Sequence, residues 1–577
     1  MNVFRHLSTR RARKAASHEI DPEDVFLDSQ NLSQFNVDQM EGHLERPLGK
    51  HVFYAALSIV VFLVVSFSYR LFLMQVVNVE GYVEKAENNH LRKVPLFALR
   101  GTISDRNGEL LAWNSMTYGT TTDAQASTTT NDIPKRIYTQ SKGFSHILGY
   151  VSYPKRDQSG IFWQDEYVGK DGVEKQYQNE LAGVRGERVI EVTALQKVEA
   201  ENMIVYPING ENLVLSIDKE VQTKLYESIE DLAKKAGFIG GAGIIMDVHN
   251  GELLAITSYP EYNNNLITNA TTKEEKSIVA HELADKHKKF LDRAVSGLFT
   301  PGSTVKPFFA YAALAENIIT PEASIYSSGK LVIKNKYGGS DTVFKDWRAH
   351  GYVNMWQAIA QSSDEYFYQI GGGYQDQKGL GIARIGEYSR MFGFATTTGI
   401  DLPDEEYGLI PSPEWKKKVF DEDWLLGNTY HSSIGQYGFQ LTPLELVRGV
   451  AVIANGGQLV TPHVLKRLET SSTPLSLDEK KLRVIREGMR MAVTSENGTA
   501  KTLRFDELAV SGKSGTAELG TAKQWVNSLM IGYFPSDKPR YAFVVVMEKA
   551  NRGNTFGAGL VMKETLQWIV DTTDYGK

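Results

Sequence analysis

Residues 52–69 (VFYAALSIVVFLVVSFSY) are an unbroken run of 18 residues without a charge. A helix rises 1.5 Å per residue, so the run reaches roughly 27 Å, close to the thickness of a bilayer's hydrocarbon core. Lys50 and Arg70 bound it and can carry their charges to the interface. A helix buried in a soluble core normally shows a polar stripe, and this run has none. It also lies too deep in the chain, and is too long, to read as a cleavable signal peptide. The sequence therefore predicts one transmembrane anchor over residues 51–76. Arg5, Arg10, Arg11, Arg13, Lys14, Arg46 and Lys50 precede it, which predicts a cytoplasmic tail over residues 1–50. Everything beyond the anchor is then expected on the outer, periplasmic or extracellular side, where ATP-driven work is not the default.

The chain is 577 residues long, enough for two to four folded units. It has no cysteine, which excludes disulfide frameworks, thiolate nucleophiles, iron–sulfur clusters and thiolate zinc sites. A net charge of −6 gives no reason to expect nucleic-acid binding.

Past the anchor, residues 81–90 read as a helix leaving the membrane. Residues 100–114 (RGTISDRNGELLAWN) read as a hairpin, with Asn107-Gly108 as a type I′ turn. Residues 115–145 are Thr/Ser/Asp-rich with weak periodicity and predict loops or a small subdomain. Strands are expected at 146–151 (HILGYV) and 187–195 (ERVIEVTAL), around a helix near 172–181. Residues 219–235 read as an amphipathic helix. From residue 240 the composition changes: 241–260 (GAGIIMDVHNGELLAITSYP) predicts two apolar strands around a turn. Helical patterns then dominate to residue 450, strands return at 509–516, 528–534 and 541–548, and a last helix covers 559–571. Strands at both ends with helices between them predict an α+β domain whose terminal strands come together. The boundary is placed near residue 236, giving a mostly-β pedestal over 77–235 and a catalytic domain over 236–577.

Ser-x-x-Lys occurs four times, from Ser152, Ser216, Ser303 and Ser327. Two polar surface residues are the ordinary reading of such a pair. Ser152 reads as loop, Ser216 as strand and Ser327 as a turn, whereas Ser303 follows Pro-Gly and opens a helix over 303–317. There Lys306 falls on the face of the Ser303 hydroxyl, and the apolar run behind it favours a neutral amine base. The helix start also directs free N–H groups at a developing oxyanion. A second group, Ser362-Ser363-Asp364, reads on its own as a helix N-cap. A third, Lys513-Ser514-Gly515-Thr516, lies in a strand pattern, where a glycine suits close approach of another backbone.

SxxK, Sx[ND] and K[ST]G in this order are the signatures of penicillin-binding proteins and serine β-lactamases. Segments 100–108 (RGTISDRNG), 169–183 (GKDGVEKQYQNELAG), 213–222 (LVLSIDKEVQ), 246–265, 300–308 (TPGSTVKPF) and 434–446 (IGQYGFQLTPLEL) resemble class B penicillin-binding proteins. Asp364, with SSDEYFYQ and PSPEWKKKVF, resembles the elongation type, penicillin-binding protein 2; the septal type, which normally carries Asn there, is the alternative. The resemblance implies an antiparallel sheet with flanking helices and a peptidoglycan D,D-transpeptidase acting on stem peptides ending in D-Ala-D-Ala. Ser303 would be the nucleophile, Lys306 its base, Ser362 a proton relay, and Asp364 would orient Lys306. Lys513 would supply positive potential, Ser514, Gly515 and Thr516 would hold the terminal carboxylate, and the N–H groups of Ser303 and Thr516 would form the oxyanion hole. β-Lactams would acylate Ser303. No cofactor is implied. Some relatives hold zinc through Asp, His and Cys. Asp346 and His350 are present here, but Ser363 stands in place of the cysteine, so no metal is expected.

Tyr437 departs from the family's usual loop, so residues 434–440 are given no catalytic role. Trp347, Trp424 and Trp525 are expected as core or groove wall. No glycosyltransferase signature is visible, so a partner is expected to polymerise glycan, a SEDS-family, RodA-like enzyme met through the membrane helix and pedestal. A β-lactam-sensing receptor would usually carry several spans, a β-lactamase would lack the pedestal, and a non-catalytic scaffold would be free to lose a motif residue.

Overall fold

The structure, a computed structural model, describes residues 49–80, 91–115, 133–157, 162–192, 198–335, 338–466, 469–520 and 522–576. Nearly all of the expected cytoplasmic tail, the helix expected at 81–90 and most of the Thr/Ser-rich segment lie outside the described residues. The chain divides into two compact units, residues 1–89 and 90–577.

In the first unit, Lys50–Phe72 is one α-helix that continues through a π-helical turn, Leu73–Val77. None of its residues is buried, and together they make one helix long and apolar enough to cross a membrane. The Ser58 hydroxyl donates to the Tyr54 carbonyl at 2.7 Å, which satisfies a polar group within an apolar stretch.

The second unit begins with two small sheets. Leu91–Leu96 and Val198–Val205 flank Gly186–Val192 in an antiparallel sheet. Ile103–Ser104, Leu110–Ser115 and Lys135–Tyr138 form the other, closed by Leu213–Val214, which pairs parallel to Ile103–Ser104. Two expectations change here. Gly108 has φ +91° but Asn107 is not left-handed, so the turn is not type I′; the Asp105 carboxylate instead takes the N–H groups of Asn107 and Glu109. Residues 146–148 are helical rather than extended, because Ser145–Leu148 forms a buried turn held by Glu261 and Tyr262. Two short helices, Gly172–Gln176 and Gln178–Ala182, follow, the first capped by Asp171.

The larger sheet has five antiparallel strands in the order Leu253–Tyr259, Gly240–Asp247, Tyr541–Asn551, Trp525–Phe534, Ser511–Leu519. The terminal strands of the domain do meet: Gly240–Asp247 pairs directly with Tyr541–Asn551. Successive residues serve opposite faces. Ile244, Val544 and Val546 join a core with Phe308 and Val450, while Ile245, Phe543 and Val545 join one with Leu225 and Leu566. Both faces are covered, so the strands read as continuous apolar runs. Helix Lys219–Ala236 packs in the second core against Ala558–Thr572 and the sheet. That helix, capped by Asp218, precedes the boundary expected near residue 236 and shares the core of the large sheet.

Candidate active site

Ser303 lies in a 3-10 turn, Gly302–Val305, and the α-helix begins only at Lys306 (Lys306–Ala315). The helix expected to open at Ser303 thus starts one turn later, with Pro307 in its first turn, where the missing N–H costs no intrahelical bond. Three glycines allow the turn's setting. A Cβ on Gly515 would stand 2.6 Å from Thr304 Cγ2 and 3.0 Å from the Pro301 carbonyl oxygen. Gly302 has φ +52° and donates to the Gly435 carbonyl at 3.0 Å, and a Cβ on Gly435 would meet the Gly302 carbonyl at 2.3 Å. The Ser303 turn is therefore clamped between the edge strand Ser511–Leu519 and the loop around Gly435. That loop, given no role on sequence, supports the turn from behind.

The second motif sits between two helices. Ser362 ends Met355–Gln361 in a left-handed conformation, φ 57° and ψ 41°. This is a strained state for a non-glycine residue, and such residues concentrate at functional sites. Ser363 is the N-cap of Asp364–Gly372, as a plain reading of the motif predicts. Ser362 is the residue turned inward. Its hydroxyl accepts from Lys306 Nζ at 3.3 Å and from Lys513 Nζ at 2.8 Å. Lys306 also donates to the Ser362 carbonyl at 2.8 Å and to Asp364 Oδ1 at 2.5 Å. The Phe367 ring lies 5.3 Å from the same ammonium. Both lysine residues are fully buried.

Burial, reinforced by the Lys306 charge, holds the Lys513 ammonium well below the usual lysine range. Burial likewise raises the Asp364 carboxyl, although Lys306 opposes the shift. Along the edge strand, Lys513 and Gly515 face inward, Ser514 is half-buried and Thr516 is exposed. Ser303, Lys306, Ser362, Asp364 and the Lys513–Thr516 strand are thus brought to one place from separate elements. The other Ser-x-x-Lys pairs are not. Ser216 is buried and bonds the Leu253 and His463 carbonyls, and Ser152 sits in a two-residue strand. Ser327, expected in a turn, ends strand Ile325–Ser327 and is buried.

Asp346 is a residue the sequence reading considered only as a metal ligand. Its Oδ2 accepts from Ser363 Oγ at 2.9 Å and from the Glu365 N–H at 2.9 Å, and its Oδ1 lies 3.4 Å from His350 Nε2. Burial alone would raise this carboxyl, but the hydrogen bonds from His350 and Glu365 bring it down to about 2. The resemblance already groups Asp346 with Ser363 through the zinc set of some relatives; spacing and periodicity give no such link, because Asp346 follows a separate hairpin. Phe367 was legible in principle, lying three residues after Asp364 on the same helix face. Among the described residues no group of three or more His, Cys, Asp or Glu is placed to hold a metal ion. Trp347, expected as core or groove wall, is 57% exposed and so lies outside the core, with the Arg348 guanidinium 4.7 Å from its ring.

The penicillin binding protein transpeptidase domain family matches residues 241–569, and the penicillin-binding protein dimerisation domain family matches residues 122–215. A peptidoglycan D,D-transpeptidase, MrdA, of Haemophilus influenzae is 28% identical over 85% of this chain and 87% of its own length. The penicillin-binding protein PBP2 of Helicobacter pylori, solved in complex with MreC, matches with TM-score 0.67 at 27% identity. It covers 83% of this chain and 99% of that one. A chain from a peptidoglycan synthase complex, in a structure on the coordination of polymerisation and crosslinking, matches with TM-score 0.68 at 25% identity, over 90% of this chain and 98% of that one.

Proposed function

From the premise that the chain belongs to the penicillin-binding protein transpeptidases, we propose how its own residues carry out the reaction. It is a peptidoglycan D,D-transpeptidase of the elongation type, like the relatives it matches over most of their length. In the proposed mechanism Ser303 Oγ attacks the penultimate D-Ala carbonyl of a stem peptide and Lys306 takes its proton. The N–H groups of Ser303 and Thr516 hold the oxyanion. Ser362 passes a proton to the departing D-Ala, and Asp364 keeps Lys306 aimed. Lys513, Ser514 and Thr516 receive the terminal carboxylate, and Gly515 lets the strand lie against the Ser303 turn. An amine from a second stem peptide then resolves the acyl-enzyme.

The observation that carries this reading is the Ser362 hydroxyl, which accepts from both buried lysine residues at once, at 3.3 and 2.8 Å. That arrangement is a proton path from the helix that follows Ser303 to the strand that would hold the carboxylate. Fluorescent penicillin labelling with mass mapping of the adduct tests it. Label is expected on Ser303 and absent from Ser303→Ala; label persisting in that variant would overturn the nucleophile assignment.

The proposed topology follows the anchor: tail inside, residues 77 onward outside, with the mostly-β pedestal ahead of the catalytic domain. The family match to the dimerisation domain and the packing of helix Lys219–Ala236 support that order. Glycan polymerisation would fall to a SEDS-family, RodA-like enzyme at the membrane helix and pedestal. The H. pylori relative is solved with MreC, so an MreC-like protein is a second proposed partner.

A further inference from the structure

A cavity of about 210 Å³ lies where the small-sheet region meets the catalytic domain, and none of the catalytic residues named above lines it. His146, Tyr150 and Asp171 form one wall; Phe290, Asp292 and Ser296 are among the residues of the other. His146 is 5% exposed, and its Nε2 lies 2.8 Å from the Lys289 carbonyl oxygen. A carbonyl only accepts, so that nitrogen carries the proton and Nδ1 is left as a lone pair. Nδ1 is buried and has no hydrogen-bond partner. Asp171 accepts from the Gly172 N–H and the Tyr262 hydroxyl. Asp292 Oδ1 takes the N–H groups of Ala294 and Val295. Neither carboxylate has an ion-pair partner among the described residues. Every polar group named here offers an acceptor, and a buried acceptor without a donor costs free energy.

Beside Leu291, Leu402 and Pro403, the lining carries two aromatic rings, Tyr150 and Phe290, and Tyr262 backs the second. Tyr262 and Phe290 stack with centroids 4.5 Å apart, and Tyr150 meets Phe290 edge-on at 6.5 Å. Carboxylates, a lone pair and ring faces together match a compact cation that donates several hydrogen bonds. We propose that this cavity binds a small primary ammonium group. The three N–H donors of such a group would serve His146 Nδ1, Asp171 and Asp292 together, tying the two walls to one another.

Proton linkage gives the proposal a sign. Burial raises the Asp171 carboxyl and brings that of Asp292 up to about 6, while burial lowers His146. An ammonium ion pairs with the ionised carboxylates and the neutral imidazole, so its affinity should rise from pH 5 to pH 7 and then level off. Two further charged residues line the cavity and a third adjoins it: Lys170 is exposed, Asp404 is paired with Lys175, and Arg293 is held by Glu548. Glu261, which also faces His146, accepts from the Gly143 and Ser145 N–H groups.

Calorimetry on the full chain in detergent, titrated with n-butylammonium chloride against potassium chloride at equal ionic strength, tests the site. Saturable binding of one butylammonium is expected, tightening about tenfold between pH 5 and pH 7 as one proton is displaced. Asp292→Asn should weaken it at least about tenfold while penicillin still acylates the variant. If Asp292→Asn fails to fold, Asp171→Asn, which keeps an N-cap oxygen, carries the same test. Equal heats with potassium, affinity that falls with pH, or unchanged binding in folded variants would each overturn the proposal. A parallel titration with Nα-acetyl-lysine methylamide tells a peptide side chain from a free amine as the source; binding of butylammonium supports the site in either case.

Discussion

In the small-sheet region Arg100 and Arg136 share the Glu174 carboxylate, and in the catalytic domain Lys306 and Lys513 lie around Asp364 and the Ser362 hydroxyl. Each cluster gathers two buried cations around one acid. Arg100 comes from the segment at 100–108 and Glu174 from that at 169–183, segments whose family resemblance assigned them no chemistry. In the first cluster burial would raise Glu174, but the charges of Arg136 and Arg100, with their hydrogen bonds, hold it below the usual glutamate range. In the second, burial moves Asp364 up and Lys513 down, toward the neutral forms. Guanidinium keeps its proton and meets carboxylate as a fork, so the first cluster is a fixed joint. Ammonium gives up a proton when desolvated, so the second can exchange one.

The largest expected effect breaks this comparison directly. Lys306→Arg keeps the charge but cannot release a proton, and should lower the rate of penicillin acylation by at least about 10³-fold. Stopped-flow acylation with a chromogenic β-lactam measures it. Near-normal acylation by Lys306→Arg would mean that both clusters are fixed charges.

The counterpart in the pedestal is Glu174→Gln. Two buried guanidinium groups would lose their shared anion, at a cost of about 3–5 kcal/mol in urea unfolding. The folded fraction should still be acylated at the normal rate. Glu174 has a depressed folded pKa, so its contribution is present above the unfolded glutamate range and disappears as pH falls through the folded value. Acid should therefore weaken the wild-type chain more than the variant.

Lys513 gives a smaller, pH-dependent effect. Lys513→Met should slow acylation about 10²-fold, the scale of one lost electrostatic contact. In the wild type, raising the pH neutralises Lys513 below the ordinary lysine range, so binding of a carboxylate-bearing substrate should weaken there. The folded pKa lies below the unfolded one, so stability should rise with pH through the same window. An acylation profile that is flat until the normal lysine range would contradict the burial argument.

How much of this was legible in the sequence depended on distance along the chain. Ser303 and Lys306 share a local helix pattern, and Lys513–Thr516 share one strand, so their spacing carries geometry. The five-strand sheet was visible because it is buried on both faces, and its strands are nearly continuous apolar runs such as 541–547. The Arg100–Glu174–Arg136 joint was not visible, since its members lie in three separate elements. Residues 146–148 were misread as strand because local β-propensity gave way to the tertiary contacts of Ser145 with Glu261 and Tyr262. Asn107-Gly108 was misread because the Asp105 carboxylate, rather than the dipeptide, sets the turn.

The smallest expected effect belongs to Asp346, which couples a fixed charge to the exchanging cluster. Its carboxylate holds Ser363 and the Glu365 N–H, the residues on either side of Asp364. Asp346→Asn weakens both bonds and should let the left-handed Ser362 drift from the two lysine residues, slowing acylation about tenfold. Because hydrogen bonding brings Asp346 down to about 2, it stays ionised from pH 4 upward, and the deficit should be the same at every pH in that range. This sets it apart from Lys513→Met, whose deficit should shrink as the wild-type lysine itself loses its proton. A deficit in Asp346→Asn that varies with pH would place Asp346 among the groups that exchange protons rather than those that hold them in position.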